Sequence, residues 1–243
     1  MTPASWSLPP PGLRLADEEV HIWRVELALA SPADVRHPAL DPAEQERAAR
    51  FHFAEDRARF VCAHVALRDV LGRYLGRSPL FVTGPRGKPA LAGPGAPALQ
   101  FNLSHSGALA LIAVATRREV GVDVERCRAI EHRDIARHFF SPAEVAVLVG
   151  FPDPEGHQAF YRCWTRKEAY IKARGEGLSL ALDSFDVTLG PWAALLATRP
   201  DAGEASRWVM RELAVDDGDG YQAAVCHAAP AARILCFDWD GKV

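Results

Sequence analysis

The chain lacks the features that would place it in several large classes. None of its 243 residues form a run near the ~20 consecutive apolar residues needed to span a bilayer. The start, MTPASWSLPPPG, has neither a basic n-region nor an apolar core, so it does not read as a signal peptide. The five cysteines are odd in number and never spaced CxxC, which argues against a disulfide framework and a structural zinc site. That usage fits a reducing, cytoplasmic compartment. The nine histidines are scattered, without HExxH or a Cys/His cluster. Basic excess is missing too: 28 Lys and Arg face 31 Asp and Glu, net −3. A general nucleic-acid binder is more basic, so any polyanion site must be local. What remains, 49% hydrophobic and 24% charged, is the balance of a globular protein.

Strand-like and helical stretches mix without regular βαβ alternation, so the pattern predicts an α+β fold. Residues 1–19, rich in proline and polar residues, read as a loose arm. Val20, Ile22, Val25 and Leu27 give a strand with a slip in its alternation. Asp41-Pro-Ala-Glu44 is a capping box that opens a helix. A second helix is predicted from Glu55 to Leu75, ended by Gly72 or Gly76. Residues 83–97 read as loop with an extended piece at Leu91. The apolar run Leu109–Ala115, the turn at 116–118 and the alternating Val120–Glu125 read as a β-hairpin. Ser141-Pro-Ala-Glu144 is a second capping box, one hundred residues after the first, with Phe60 and Phe160 at equal offsets. This repeat hints at an internal duplication. A helix over 159–174 follows, stopped by Gly175 and Gly177. Strand-like alternation then recurs over 180–189, 208–215 and 221–226.

Three segments carry chemistry. In Val120–Glu125, alternation puts Asp123 and Glu125 side by side on one strand face. Two such carboxylates can ligate a hard cation such as Mg²⁺; taken alone, they are the solvated face of a half-buried strand. On the helix 159–174, Trp164, Glu168 and Lys172 are spaced i, i+4, i+8 along one stripe. Glu168 can be a third carboxylate for the same cation and Lys172 can hold a phosphate on it; alone, they make an ordinary surface ion pair. The segment FNLSHSG, residues 101–107, lies between strands and contains Ser104 and His105. Neighbours on an extended chain point apart and no partner acid is evident, so a hydrolase triad is disfavoured. Phosphate contacts suit these residues better. Lys88, in Gly87-Lys88-Pro89, adds a cation, and Arg47, Arg50, Arg57 and Arg59 make the first helices basic.

Together, in the order GKP, FNLSHSG, GVDVE and WTRKEAYIKARGEGL, these motifs resemble those of the 4′-phosphopantetheinyl transferases, specifically the larger Sfp type. The similarity extends from about Pro42 to Cys226 and leaves out the arm and the tail after about Pro230. The resemblance implies two similar α+β halves, 1–118 and 119–243, related by pseudo-twofold symmetry with the active site between them. It implies transfer of the 4′-phosphopantetheine arm of coenzyme A to a serine of an apo carrier protein, with release of adenosine 3′,5′-bisphosphate. By similarity Asp123, Glu125 and Glu168 hold Mg²⁺, and Lys172 contacts the diphosphate. Ser104 and His105 contact CoA phosphates, Lys88 lies by the adenine, and Arg47 binds the 3′-phosphate. Glu44 departs from the family pattern, standing where some relatives carry a second cation. The 3′-phosphate then leans on Arg47, assisted by Arg50 or Arg59.

The groups also imply a mechanism. Mg²⁺ and Lys172 offset charge on the breaking diphosphate, and Glu168 is the candidate base for the carrier serine, directly or through water. A carboxylate held tightly by a metal is a poor base, so the metal role of Glu168 ranks first. Residues 126–140 set Ile130, Ile135 and Phe139 among Arg126, Arg128, Arg133 and Arg137, a surface suited to an acidic carrier. Because one chain supplies both halves, a monomer is expected. The rival readings are a non-catalytic CoA-binding homologue and a hydrolase of the CoA diphosphate.

Overall fold

The computed structural model describes residues 5–27, 37–84, 87–94, 98–216, 218 and 220–241. Twelve strands and five α-helices occur among them. Strands β1 (Trp6–Ser7), β2 (Glu19–Glu26), β5 (Leu99–Ser106), β6 (Leu109–Thr116) and β12 (Arg233–Asp238) form a sheet ordered β1-β12-β2-β6-β5. Strands β7 (Val120–Arg126), β10 (Trp208–Glu212) and β11 (Tyr221–Ala228) form a second, ordered β10-β11-β7. Two small ribbons pair β3 (Leu80–Thr83) with β4 (Pro89–Ala92), and β8 (Phe185–Val187) with β9 (Leu195–Thr198).

Apolar alternation stacks these sheets into layers. Val20, Ile22, Leu109, Leu111, Ala113 and Ala115 meet Val120, Val122, Val124, Ala223 and Val225 in one cluster between the two large sheets. The opposite face of the five-stranded sheet, with Trp23, Val25, Ile112 and Val114, packs under α2 (Ala54–Leu75) through Ala63, Leu67 and Val70. The outer face of the three-stranded sheet, with Ala224 and Cys226, packs under α5 (Glu155–Arg174) through Ala169, Tyr170 and Ala173. The order is therefore helix, sheet, sheet, helix. The slip read in β2 is no slip, because both faces of that strand are buried and residues 20–23 feed two cores in turn.

Both capping boxes form. Asp41 and Glu44 open α1 (Pro42–Ala49), and Ser141 and Glu144 open α4 (Pro142–Val149). Gly76, with φ of 66°, ends α2, and Gly175, with the same φ, ends α5. The connectivity repeats as well: β2, α1, α2, a ribbon, β5 and β6 are followed by β7, α4, α5, a ribbon, β10 and β11. Each antiparallel trio has its last strand in the centre, β2-β6-β5 and β7-β11-β10.

Several sequence expectations are corrected. β6 and β7 are not a hairpin; β6 pairs with β2 and β5, and β7 pairs with β11. The link passes from one sheet to the other at Arg117, whose φ is 54°. Both strands are buried on both faces, a condition a two-stranded hairpin does not provide. FNLSHSG is not a connection but most of β5, and the true hairpin joins β5 to β6 at Gly107, with φ of 57°. Part of the loose arm, Trp6–Ser7, pairs in parallel with β12. The tail beyond Pro230 is a structural strand between β1 and β2, tied to α2 by Trp239 Nε1 donating to Asp69 at 2.9 Å and Arg73 pairing with Asp240 at 2.7 Å. Of the 180–189 stretch only β8 is strand. Positions 28–29, 85–86 and 95–97 of the predicted strand and loop lie outside the described residues.

The motif on α5 is partly structural. Lys167 is fully buried and its Nζ lies 2.8 Å from Glu144, the buried acid of the second capping box, and 2.7 Å from the carbonyls of Leu182 and Phe185. Arg166 donates to the carbonyl of Thr188 and pairs with Glu212, both at 2.7 Å. Breaking a buried pair leaves an uncompensated charge, so Lys167→Ala is expected to lower stability by ~3–5 kcal/mol. Arg50→Ala, which removes an exposed pairing with Glu46, is expected to cost less than ~1 kcal/mol. Urea unfolding midpoints of the two variants check this.

Candidate functional site

The site grows at one margin of the stacked sheets, where side chains of β5 reach the backbone of β7. β5 and β7 are both edge strands, and their backbones do not pair as a ladder. Every second side chain of β5 instead accepts from the backbone of β7. Asn102 Oδ1 takes the Val122 N–H at 2.9 Å, Ser104 Oγ the Val124 N–H at 3.4 Å, and Ser106 Oγ the Arg126 N–H at 3.1 Å. The serines also donate to the acids of β7, Ser104 to Asp123 at 2.8 Å and Ser106 to Glu125 at 2.6 Å. A β-strand period of two puts Asn102, Ser104 and Ser106 on one face of β5, and Asp123 and Glu125 on one face of β7.

Helix α5 lies across that face. A Cβ built on Gly121 would stand 2.2 Å from the carbonyl oxygen of Ala169 and from the nitrogen of Ala173, so no side chain fits there. Close approach brings Lys172 and Glu168 down beside β7. Lys172 Nζ reaches Asp123 Oδ1 at 2.6 Å and Ser104 Oγ at 2.9 Å. The other oxygen of Asp123, Oδ2, is buried and has no hydrogen-bond partner among the described residues. Trp164, the third member of the stripe, packs instead with Phe139, Phe140 and Phe160 and ties α3 (His132–Phe139) to α5.

The acids are electrostatically frustrated. Burial pushes the Asp123 carboxyl up, while Lys172 and Ser104 oppose the rise. Glu125 is raised by burial and by the charge of Asp123, against the Ser106 hydrogen bond. Burial raises Glu168 as well, with Asp123 and Glu125 adding and Lys172 opposing. An unpartnered buried oxygen among mutually repelling carboxylates is the chemistry of a hard-cation site. Among the described residues no three Asp, Glu, His or Cys side chains are gathered closely enough to hold a metal ion by themselves. Mg²⁺ does not need such a cage, since it takes one or two carboxylates and fills its octahedron with water and substrate phosphate.

The basic residues fall in two places. A cleft of about 280 Å³ is lined by Lys88, Asn102, Glu168, Ile171, Lys172 and Gly175. Lys88 Nζ donates to the carbonyls of Lys172 at 2.7 Å and of Val120 and Ala173 at 3.3 Å, stitching β4's approach to the end of α5. Burial draws its pKa down to about 8, with Glu119 opposing. A neighbouring cleft of about 260 Å³, sharing Pro89, is lined by Glu44, Arg47, Phe60, His64 and Phe81. Arg47 is exposed, stacks over Phe60 at 5.2 Å and has no ion pair among the described residues. Burial holds His64 near pKa 4, so it is neutral there. His105 presents an edge to solvent; burial and the cations Lys172, Arg47 and Arg59 hold its ring below the usual imidazole range. Arg50 and Arg59 are paired with Glu46 and Glu55. Glu44 is held by Arg68 at 2.6 Å besides capping α1, which gives the acid in that position a structural task.

The structure thus brings Lys172 and Ser104 onto Asp123, sets Glu125 and Glu168 close enough to act on it electrostatically without closing a three-acid cage, and places Lys88 and Arg47 in adjoining clefts. Sequence reasoning assigned no task to Asn102 or Ser106, although polar residues at alternate positions 102, 104 and 106 are the signal of the seam. Arg68, which also stacks over Phe81 at 4.8 Å, had no such signal.

A profile of the 4′-phosphopantetheinyl transferase superfamily matches residues 119–226, and one described as 4′-phosphopantetheinyl transferase, N-terminal, matches 33–117. The chain is 38% identical to the 4′-phosphopantetheinyl transferase HetI of Nostoc sp. over 98% of its own length and 97% of that protein. It is 36% identical to the 4′-phosphopantetheinyl transferase Sfp of Bacillus subtilis over 79% of this chain and 83% of Sfp. It is 41% identical to the 4′-phosphopantetheinyl transferase AcpT of Salmonella typhimurium over 51% of this chain and 64% of AcpT. The chain belongs to the 4′-phosphopantetheinyl transferase family and is a transferase of the Sfp-like kind.

The raised carboxyls yield a stability test. An acid whose folded pKa is raised costs stability above that pKa and nothing once both states are protonated. Glu168→Gln is therefore expected to raise the melting temperature at pH 7.5 without divalent cation. The gain should shrink as pH falls toward the ordinary carboxylate range. Thermal melts across pH, with and without a chelator, check it.

Proposed function

We propose that this chain transfers the 4′-phosphopantetheine arm of coenzyme A to the serine of an apo carrier protein, in a Mg²⁺-dependent reaction that releases adenosine 3′,5′-bisphosphate. The observation that carries the reading is the unpartnered Oδ2 of buried Asp123 beside Lys172, at the seam of two halves with repeated connectivity. We take those halves, 1–118 and 119–243, as related by a pseudo-twofold axis, with the seam of β5 and β7 between them; β12 returns from the second half into the first half's sheet. One chain supplies both sides of the site, so the working form is a monomer, acting in the cytoplasm. Among the described residues no helix is long and apolar enough to cross a membrane.

Asp123, with Glu125 and Glu168, would hold Mg²⁺. When bound, the ion supplies positive charge to the diphosphate as its bridging bond weakens. The chain's own groups do the rest. Lys172 lies on the floor of the larger cleft, where a diphosphate oxygen can replace one of its present partners. Its ammonium is fixed before reaction by Asp123 and Ser104, so little reorganisation accompanies charge development. His105 and Lys88 flank the path of the phosphates. The hydroxyl of Ser104 donates to Asp123, and a phosphate contact requires it to exchange that bond. The 3′-phosphate rests on the exposed guanidinium of Arg47, beside the faces of Phe60 and Phe81 that can receive the adenine.

The carrier serine attacks the β-phosphorus; its O–P bond forms as the bond to the leaving phosphate of adenosine 3′,5′-bisphosphate breaks, and its proton passes to a water at the site, with Glu168 ranking as a ligand of the ion first and as the base second. The carrier meets the basic segment 126–140. There Ile130 and Phe139 are exposed among Arg126, Arg128 and Arg137, whereas Ile135 packs toward the core and is not an anchor. Peptidyl, polyketide and acyl carrier domains of secondary metabolism are the substrate class.

Intact-mass analysis of an apo carrier incubated with CoA and Mg²⁺ tests the reading. The expected result is a phosphopantetheine mass gain that Asp123→Ala and Lys172→Ala reduce by at least ~100-fold, on the scale of losing one preorganised charge-stabilising contact. CoA cleavage without carrier modification would support the hydrolase alternative and overturn transfer. Phe139→Glu is expected to raise KM for the carrier about tenfold and leave KM for CoA unchanged, as removal of one apolar anchor does; steady-state kinetics with each substrate varied checks it.

A further inference from the structure

The two serines of the seam stand in register with the two carboxylates of β7, each bridging a backbone N–H and an acid. Their situations differ. Ser104 also receives Lys172, so its hydroxyl is saturated, with one proton donated and two bonds accepted. Ser106 serves Glu125 alone, donating to Oε2 at 2.6 Å and accepting from the Arg126 N–H at 3.1 Å. Glu125 is only half-buried, at the end of a strand whose next residue is exposed. The charge of Arg128 also acts on this carboxylate and draws it away from Asp123. A hydroxyl anchored on the neighbouring backbone opposes that pull.

We propose that Ser106 is a positioning residue for the reaction: it fixes the Glu125 carboxylate so that one oxygen remains turned to the cation, and so sets the affinity for Mg²⁺ without touching substrate. The inference rests on the metal reading given above. Partners that orient a ligand from behind typically change metal affinity by 10–100-fold when lost. Ser106→Ala removes the anchor, and Ser106→Thr keeps the hydroxyl on a residue that suits a strand.

The test is a thermal-shift titration of the full chain with MgCl2, free of CoA, alongside carrier-modification kinetics at varied Mg²⁺. Ser106→Ala is expected to raise the half-point for Mg²⁺ about tenfold in both measurements. Its kcat at saturating Mg²⁺ should stay within about twofold of the starting protein, and Ser106→Thr should restore the half-point. On a Glu125→Gln background the alanine change should have no further effect. An unchanged half-point, with only a lower melting temperature in the absence of cation, would overturn the proposal and leave Ser106 as part of the seam. If the unaltered protein shows no Mg²⁺-dependent shift and Asp123→Ala transfers normally, the metal reading and this inference both fall. A shift in the unaltered protein that Ser106→Ala leaves intact defeats this inference alone.

Discussion

Two sheet edges meet without forming a ladder, and the rest of the site follows from how that seam is closed. A buried edge strand leaves backbone donors that must be satisfied. Here Asn102, Ser104 and Ser106 of β5 satisfy three N–H groups of β7 with side-chain oxygens. A backbone ladder would have merged the sheets into one. Side chains join them while keeping a gap wide enough for carboxylates, and the two hydroxyls that close the gap donate to those same acids. Architecture and charge placement are therefore one set of hydrogen bonds.

The second constraint is the approach of α5. Gly121 allows helix backbone to lie against strand backbone, and this brings Glu168 and Lys172 to Asp123 and Glu125. Behind the helix, buried Lys167 and Arg166 bind carbonyls of the β8 region and pair with Glu144 and Glu212. The same short motif thus carries cations with opposite duties. Those facing the core beneath α5 hold the helix in place, and Lys172 on the seam side faces the cleft. The result is a site in which raised, mutually repelling carboxyls are kept together by the fold, a local cost that suits a cation and a polyphosphate but not stability.

How much of this was legible in the chain depended on whether the signal was local. Both capping boxes, the two long helices and the αL glycines that end them could be read directly, because caps depend on residues within one turn. The alternation of Val120–Glu125 correctly separated valines from acids. The chemistry-bearing residues were legible as an ordered set of motifs, and Asp123, Glu168 and Lys172 do come together. The partner of β7 was not legible: a turn at 116–118 between two apolar strands reads as a hairpin, although the chain there changes sheets. Likewise β1 and β12 pair with elements some two hundred residues distant, a pairing that local pattern does not encode.

By itself the sequence determined the kinds of element, the caps, the face of β7 that carries acid, and the family through its ordered motifs. These follow from periodicity and side-chain chemistry over a few residues. Only the tertiary structure decided that FNLSHSG is a strand whose alternate side chains close a seam. It also decided that Glu44 belongs to Arg68, that Ile135 turns inward, and that one oxygen of Asp123 is left without a partner among the described residues. Each of these depends on which surfaces meet across the chain, and burial of apolar area fixes that only when distant segments are folded together.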